Sequence, residues 1–386
     1  MRNAKLLPIA AMLLAPLPGG AAEPADVPPD AVIATLPFLE VEEPNRIYLD
    51  LAEEGSEPFR LLLDTGATHA VMTPRAARAA GVSVRAVKDT PYRRATRLGR
   101  DLQFWVNTLS SDTAARTFEY GVLGGDFLKS FVVEIDCAAR AVRFLDPRRY
   151  ALRDVPSAPD QAVLPIRDSP RPILEIAVGA QRLAVIADTG APWPIVLSGR
   201  AARKAGIDVD SLPAFLPTEW ALGPVEMRLY EAPELTIGGY RFRGVPVLVA
   251  PQGMHGYGGE ADDSLIGYDL LSRFLVRIDH KSHRVLLRRT SEQVVFYGVD
   301  YAVQRRSGAF VMPVASGFRV VAVLPESAAS RRGVRTGDFI ERSRPSTTPE
   351  SALAEIADGK PFRVLRGDGA SLERVELAAG GAAAAP

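Results

Sequence analysis

Cysteine is almost missing from this sequence, because the 386 residues include only one, Cys137. A single thiol forms no internal disulfide and no cysteine-rich zinc site, so neither device stabilises the fold. Neither sign of charge dominates, since 46 lysines and arginines balance 46 aspartates and glutamates. This balance disfavours nucleic acid as a partner. Hydrophobic residues make up 47% of the sequence, as in ordinary globular proteins, and the length suggests about two to three domains.

Long apolar runs are also missing after the N-terminus, where nothing approaches the ~20 residues that a membrane-spanning helix needs. The first 22 residues begin with Arg2 and Lys5, continue through an apolar stretch and end in small residues. This three-part pattern predicts a signal peptide that is cleaved after Ala22. We therefore expect an exported, periplasmic or secreted protein without an integral membrane segment in the mature form.

The middle of the sequence holds an internal duplication. Residues 61–67 are repeated at 185–191, and residues 122–128 are repeated at 265–271. The second copy carries about 18 extra residues between these landmarks, in the region Pro213–Gly259. A long unit that occurs twice predicts two similar lobes facing each other across a pseudo-twofold axis.

Each copy has the pattern of a mostly β structure with one short helix. The predicted helices are 74–80, capped by Thr73, and 199–205, capped by Ser198. Short apolar runs predict the strands, which are 47–51, 59–63, 131–135, 141–145, 173–178, 183–187, 245–249 and 285–287.

Each copy also presents an aspartate directly after an apolar strand, as Asp64-Thr65-Gly66 and Asp188-Thr189-Gly190. Two carboxylates a few ångströms apart do not both ionise, so such a pair shares one proton. The ionised partner can take a proton from water while the protonated partner donates one to an amide carbonyl oxygen. The pattern therefore predicts acid–base chemistry without a cofactor and without a metal.

The two Asp-Thr-Gly-Ala segments, each followed downstream by a hydrophobic pair and glycine, resemble retropepsin-type aspartic proteases over residues 40–290. The resemblance implies that both lobes lie in one polypeptide, so that no dimer is needed, and that the substrate is a peptide or protein. It assigns catalysis to the two aspartates and supporting roles to the residues around them. The implied catalytic residues are Asp64 and Asp188, and the implied supporting residues are Thr65, Gly66, Thr189, Gly190, Gly124 and Gly267.

The second active loop departs from the first because Pro192 and Trp193 follow Ala191 where the first copy has Thr68 and His69. We expect this loop to be built differently. An alternative function follows from this difference: a catalytically silent protein that binds peptides in the protease-like groove, with Pro192-Trp193 blocking productive substrate. A purely structural scaffold gives no reason for two matched acidic loops.

The C-terminal residues 293–380 resemble a bacterial PDZ domain, with a predicted helix at 350–357 and closing strands at 362–367 and 372–377. The resemblance implies an α+β domain that binds a peptide, or the C-terminus of a partner protein, by strand addition. We place this peptide edge at Gly317, Phe318 and Val320. A domain used only for intramolecular packing is the alternative. Where a PDZ domain usually has an Asn-Gly turn, this sequence has residues 342–346 instead.

Several smaller features are interpreted more simply. The hairpin that closes over substrate has candidates at 92–105 and 235–240, although the second is better explained as an ordinary glycine turn. His280 and His283 fit a polar hairpin turn better than a metal pair, and His69 fits a solvent-facing or locally bonded side chain better than a group that tunes the aspartates. Cys137 is interpreted as structural.

The predicted fold is therefore a mostly β, bilobal acid protease of the retropepsin or pepsin kind followed by an α+β PDZ domain. The predicted segments are a signal peptide at 1–22, a linker or extended segment at 23–44, lobes at 45–155 and 156–291, a PDZ-like domain at 292–380 and a disordered tail at 381–386. The linker could equally be a strand that lies across the groove.

The residue after each active glycine generates a pH prediction. Ala67 and Ala191 lack the hydroxyl that donates to the ionised carboxylate in pepsin-like enzymes, and losing that donor raises the lower apparent pKa of the pair. We expect the pH optimum of peptide cleavage to lie closer to neutral than that of a gastric enzyme. A cleavage profile that peaks only below about pH 3 contradicts this prediction.

Overall fold

The structure is a computed structural model of the protein. It describes residues 27–39, 45–84, 91–106, 121–155, 158–215, 226–252, 264–314, 316–342, 347–367 and 373–377. The predicted signal peptide, the glycine-rich residues 253–259 and the predicted tail lie outside these residues. Strands contain 44% of the described residues and helices 17%, so the mostly β prediction is confirmed.

The strands and helices follow the sequence in three groups. The first copy contains β1 (Val32–Pro37), β2 (Tyr48–Asp50), β3 (Arg60–Leu63), β4 (Ala70–Met72), α1 (Pro74–Ala79), β5 (Tyr92–Ala95), β6 (Asp101–Val106), β7 (Val122–Leu123), α2 (Gly125–Leu128), β8 (Val132–Asp136) and β9 (Ala141–Leu145). The second copy contains β10 (Gln161–Pro165), β11 (Ile173–Val178), β12 (Gln181–Ala187), β13 (Ile195–Ser198), α3 (Gly199–Lys204), β14 (Ala214–Phe215), β15 (Met227–Ile237), β16 (Tyr240–Ala250), β17 (Leu265–Ile266), α4 (Tyr268–Leu271), β18 (Phe274–Asp279) and β19 (Arg284–Arg289). The remainder contains β20 (Val295–Phe296), β21 (Val299–Asp300), α5 (Tyr301–Ser307), β22 (Ala309–Val314), β23 (Gly317–Val323), α6 (Ala328–Arg331), β24 (Phe339–Glu341), α7 (Pro349–Ala357), β25 (Phe362–Arg366) and β26 (Glu373–Leu377). Short 3-10 helices lie at Pro29–Ala31, Leu152–Asp154 and Val209–Ser211.

The two copies build sheets with the same strand order. The first has the order β2-β3-β7-β4-β6-β5, and the second has β11-β12-β17-β13-β16-β15 with β14 added at its edge. Parallel pairs occur at equivalent places, β3 with β7 and β12 with β17. The second copy adds β14 and has a longer hairpin, in which β15 and β16 have 11 residues each where β5 and β6 have 4 and 6.

Both short helices begin where the sequence predicts and end one residue earlier than predicted, at Ala79 and Lys204. The Thr73 side chain accepts a hydrogen bond from the Ala76 N–H, and the Ser198 side chain accepts one from the Ala201 N–H. Such caps satisfy N–H groups that have no partner inside the helix. The predicted capping residues are therefore confirmed.

A third sheet joins the copies. Its order is β1-β9-β8-β18-β19-β10, with the antiparallel pair β8 and β18 at the centre. One continuous apolar cluster contains buried residues of both copies, from Leu36 to Leu287. The two copies therefore fold around a common core rather than as separate domains.

The segment before the first lobe belongs to this joining sheet. Val32–Pro37 pairs with β9 at one edge, while β10 occupies the opposite edge beside β19. Each copy thus has one leading strand in the joining sheet, β1 before the first copy and β10 in the second. Within the described part of 23–44, Val32–Pro37 is thus an extended edge strand of the joining sheet.

A buried ion-pair network crosses the middle of the joining sheet. Glu134 of β8 lies in register with Arg143 of β9 on one side and Arg277 of β18 on the other. Its carboxylate accepts a hydrogen bond from the Arg143 Nε at 2.5 Å and another from the Arg277 Nε. Arg277 is 0% exposed and also donates to the Tyr150 hydroxyl at 2.7 Å.

The C-terminal unit is a five-stranded antiparallel sheet in the order β22-β23-β24-β25-β26. It has a core of its own, which includes Phe318, Ile340 and Leu353. A second cluster joins it to the second copy, where Phe310 of β22 packs edge-on against Phe215 of β14 and Phe296 of β20. This unit is therefore attached to the second copy through buried aromatic side chains.

Removing the glutamate from the buried network tests its role. We predict that Glu134→Ala lowers stability by about 3–5 kcal/mol, because Arg277 then loses its countercharge inside the core. The matched control is Glu175→Ala, which breaks the exposed cross-strand pair with Arg182 and is expected to cost under ~1 kcal/mol. Thermal unfolding of both variants measures the difference, and equal midpoints contradict the prediction.

Candidate active site

The two repeated aspartates lie at the ends of equivalent strands. Asp64 follows β3 and donates its N–H to the Leu123 carbonyl at 3.1 Å, while Asp188 follows β12 and donates to the Ile266 carbonyl at 2.8 Å. Because β7 and β17 hold each aspartate by the same backbone bond, both carboxyl groups leave their sheets in the same way.

Two threonines hold the active loops together by reciprocal hydrogen bonds. The Thr65 N–H donates to the Thr189 Oγ1 at 3.2 Å, and the Thr189 N–H donates to the Thr65 Oγ1 at 3.1 Å. Each hydroxyl also donates across to the other copy, Thr65 to the Ala187 carbonyl and Thr189 to the Leu63 carbonyl, both at 2.6 Å. Both threonines are buried, so these bonds are shielded from water.

Each glycine of the triplets lies against the carboxyl group of the other copy. A Cβ atom at Gly66 would come within 2.3 Å of the Asp188 Cγ, and one at Gly190 within 2.5 Å of the Asp64 Cγ. No side chain fits in that space. The glycines are therefore required by the close approach of the two loops.

Backbone N–H groups orient the two carboxyl groups. The Asp64 Oδ1 accepts from the Ala67 N–H at 2.9 Å, and the Asp188 Oδ1 accepts from Gly190 at 2.8 Å and Ala191 at 3.2 Å. Asp188 is 0% exposed, whereas Asp64 is partly exposed. The pair is thus matched in its bonding but not in its access to solvent.

The pKa of Asp64 is raised well above its usual value. Burial is the largest cause, followed by the charge of Asp188 and by a hydrogen bond between the two carboxyl groups. The N–H groups of Ala67 and Gly66 act in the opposite direction. Asp64 therefore retains a proton under conditions where an isolated aspartate is ionised.

The downstream glycines lie directly beneath the loops. A Cβ at Gly124 would come within 2.5 Å of the His69 backbone, and one at Gly267 within 2.2 Å of the Trp193 carbonyl oxygen. The following helices bind the loops as well, since Gly125 donates to the Ala67 carbonyl at 2.8 Å and Tyr268 to the Ala191 carbonyl at 2.7 Å.

Beyond these shared contacts the loops differ. In the first copy, the exposed His69 ring lies 3.3 Å from the Asp126 carboxylate. In the second copy, the Trp193 indole is 2% exposed and donates to the Tyr297 hydroxyl at 2.8 Å. The expectation of a different second loop agrees with this arrangement. Trp193 lies in a core and does not block a groove.

Tyr297 is the neighbour of the site that sequence reasoning missed. It lies 104 residues after Trp193, outside the repeat, and no motif surrounds it. The sequence signal for it is the dipeptide Tyr297-Gly298. This dipeptide has the length of a two-residue hairpin turn and lies between two short strands.

The two candidates for the closing hairpin occupy equivalent positions in the two sheets. The β5–β6 hairpin pairs with β4 as the β15–β16 hairpin pairs with β13, in both cases through a parallel pair. The tip of the second packs against the joining sheet, where Gly238 approaches Ala162 and the Tyr240 hydroxyl donates to the Asp160 carbonyl. The simpler interpretation of 235–240 as a hairpin turn is confirmed.

The expected peptide edge of the C-terminal unit is an inner strand. Gly317, Phe318 and Val320 belong to β23, which pairs with β22 on one side and β24 on the other. Phe318 and Val320 are also 0% exposed. An added peptide strand finds no free backbone there, so the edge is not at these three residues.

The remaining polar candidates are structural. His280 and His283 lie in the turn between β18 and β19, as predicted. Burial raises the pKa of the Cys137 thiol to about 12, so it is poorly nucleophilic. Within the described residues, no group of three or more potential metal ligands occurs, and no helix is long and apolar enough to span a membrane.

One protein-family model matches part of the second copy. Residues 174–270 match the family model for aspartyl protease, a range that contains Asp188, Thr189, Gly190 and Gly267. No curated protein matched the sequence. Among solved structures, a retropepsin-like aspartic protease from Rickettsia conorii is 23% identical over 33% of this chain and 90% of its own length, with a TM-score of 0.28. Basic 7S globulin from soybean is 15% identical over 67% of this chain and 95% of its own length, with a TM-score of 0.36.

The reciprocal threonine bonds generate a stability prediction. Thr65→Val keeps the shape but removes the hydroxyl that serves the Thr189 N–H and the Ala187 carbonyl. Each buried group left without its partner costs about 1–3 kcal/mol, so we expect a clearly lower unfolding midpoint. Thr65→Ser retains the hydroxyl and is the control. A Val variant as stable as the Ser variant contradicts the interpretation.

Proposed function

We propose that the protein is an exported aspartic endopeptidase that hydrolyses peptide bonds with a water molecule activated between Asp64 and Asp188. The observation that carries the proposal is the close approach of these carboxyl groups, each packed over the glycine of the opposite triplet. The aspartyl protease match over residues 174–270 supports the same chemistry.

Because burial beside Asp188 raises the pKa of Asp64, the dyad shares one proton in the free protein. We propose the protonation state that has this proton on Asp64 and Asp188 as the base. In the proposed reaction, Asp188 takes a proton from water as the water oxygen bonds to the substrate carbonyl carbon. Asp64 donates its proton to the carbonyl oxygen, which gives a tetrahedral diol. Asp188 then passes its proton to the amide nitrogen, and the carbon–nitrogen bond breaks. One diol hydroxyl returns its proton to Asp64, so that an acid and an amine are released and the dyad is restored. No covalent enzyme intermediate forms, and no cofactor takes part.

The proposal includes a pseudo-twofold arrangement of the two copies, with no dimer required for activity. Its support is the matching order of six strands in each copy and the reciprocal bonds of Thr65 and Thr189. Both halves of the site thus come from one polypeptide, and the substrate is a peptide or protein lying across them.

Export to the periplasm or the exterior is proposed from residues 1–22, whose charged start, apolar middle and small residues before Ala22 fit a signal peptide. These residues lie outside the described structure, and the support is therefore the sequence alone.

We also propose that residues 292–380 form a PDZ-like domain that binds a peptide or partner. In support, a groove of about 850 Å³ lies where β24 and β25 diverge after a single paired position. Its lining includes the apolar residues Ile340, Ala352 and Phe362 as well as several charged side chains. This groove is a better candidate for a peptide than the inner strand β23.

The alternative of a silent peptide-binding protein relied on the Pro192-Trp193 loop blocking the groove. The indole instead lies in the apolar cluster with Phe296 and Tyr297. The protease is therefore the function that we propose.

Cleavage of an unbiased peptide library tests the proposal. The protein lacking residues 1–22 is assayed from pH 3 to 8 with and without pepstatin, beside Asp64→Asn and Asp188→Asn. Loss of one member of an acid–base pair is expected to reduce cleavage by about 10²–10⁴-fold. Asp168→Asn, at a side chain that is 95% exposed, is the matched control and is expected to leave cleavage unchanged.

Cleavage that survives both active-loop substitutions contradicts the proposed dyad. Absence of cleavage at every pH favours the silent peptide-binding alternative, and capture of peptides by the wild-type protein then tests that alternative directly.

A further inference from the structure

A small hairpin connects the active loop of the second copy to the C-terminal unit. Strands β20 and β21 pair through two positions, and Tyr297-Gly298 forms the turn between them. Both turn residues have positive φ angles, 52° at Tyr297 and 73° at Gly298. This is the pattern of a type I′ turn, in which the first position normally holds asparagine, aspartate or glycine.

A tyrosine at that position has an energetic cost, because a non-glycine side chain is disfavoured in the left-handed region. The surrounding contacts compensate for it. The Tyr297 hydroxyl accepts from the Trp193 indole at 2.8 Å, and the Tyr297 and Gly298 N–H groups donate to the Asp269 carboxylate at 2.5 and 2.9 Å. An asparagine would suit the turn better but would not reach Trp193.

These contacts hold both sides of the second active loop. Trp193 lies five residues after Asp188, and its carbonyl oxygen packs against Gly267. Asp269 lies two residues after Gly267 in α4, the helix whose first N–H binds the Ala191 carbonyl. One end of the loop is thus fixed by Thr65 of the first copy, and the other end is fixed by the hairpin.

The same hairpin contacts the C-terminal unit. Phe296, beside the turn, has its ring centroid 5.5 Å from that of Phe310 on β22 and 5.1 Å from that of Tyr297. All three rings are buried in one cluster that also contains Ala191 and Trp193. Buried, close-packed side chains therefore connect β22 to the residues that follow Asp188.

We propose that Tyr297 is a positioning residue for the Asp188 loop, through which the C-terminal unit sets the geometry of the two carboxyl groups. The proposal deepens the proposed function and rests on it for the identity of the dyad. It assigns the C-terminal unit a part in building the active site, in addition to any peptide that it binds.

The test removes one hydroxyl at a time from the same aromatic cluster. Tyr297→Phe removes the acceptor of the Trp193 N–H and keeps the ring. Tyr301→Phe is the matched control, because Tyr301 is a buried residue of the same cluster whose hydroxyl donates to Glu231 at 3.0 Å rather than to a residue of the active loop.

The first measurement does not depend on cleavage. Titration of ¹³C-labelled aspartate carboxyl groups by NMR, with the Asp64 signal assigned through Asp64→Asn, reports the coupling of the dyad. We expect Tyr297→Phe to move the Asp64 midpoint by at least about 0.5 pH unit, and Tyr301→Phe to leave it in place. An unmoved midpoint in Tyr297→Phe overturns the proposal, whether or not the protein cleaves peptides.

The second measurement uses the peptides that the wild-type protein cleaves. Tyr297→Phe is expected to lower kcat about tenfold with KM within about twofold of wild type, which is the effect of misplaced catalytic groups rather than lost substrate contacts. Values of kcat and KM equal to those of Tyr301→Phe overturn the proposal.

If Tyr297→Phe does not fold, a variant of the donor in the Trp193–Tyr297 hydrogen bond tests the same proposal. Trp193→Phe removes the indole donor and is expected to shift the Asp64 midpoint in the same direction. In the double variant, the shift is expected to match that of one single variant rather than the sum of both. Independent, additive shifts contradict a connection through this hydrogen bond.

Discussion

Two buried threonine hydroxyls determine how close the halves of this molecule come. Each accepts a backbone N–H from the opposite loop and donates to a carbonyl of the opposite strand, so that four polar groups are satisfied only when the copies are in contact. The proximity of Asp64 and Asp188 follows from this contact, and so does the need for glycine beside each. The elevated pKa of Asp64 is a further result, because it arises from burial beside a second carboxyl group.

The shared contacts make the two loops alike, and the contacts outside the repeat make them different. His69 of the first copy lies at the surface beside Asp126, while Trp193 of the second lies in a core that continues into the C-terminal unit. The second loop is therefore the more strongly supported of the two. This difference agrees with the exposure of the carboxyl groups, since Asp188 is fully buried and Asp64 is not.

The local features of the fold could be predicted from the sequence. Thr73 and Ser198 cap their helices because capping depends on residues three positions apart. The repeat placed Asp64 and Asp188 in equivalent surroundings, because both copies have the same strand order. Long-range features were not predictable: β23 has the same apolar pattern whether it lies inside a sheet or at an edge, and only the observed order distinguishes these positions. Tyr297 was missed for a related reason, since its contact with Trp193 spans 104 residues.

The ion pair in the joining sheet also bears on how the two copies relate to each other. Glu134 and Arg277 occupy the same place in the repeat, 143 residues apart, and face each other across the seam between β8 and β18. If two identical first copies associated in this way, glutamate would face glutamate without water, and two second copies would bring arginine against arginine. Like charges in that position are strongly repulsive. Across this seam the two halves are therefore complementary in charge rather than interchangeable.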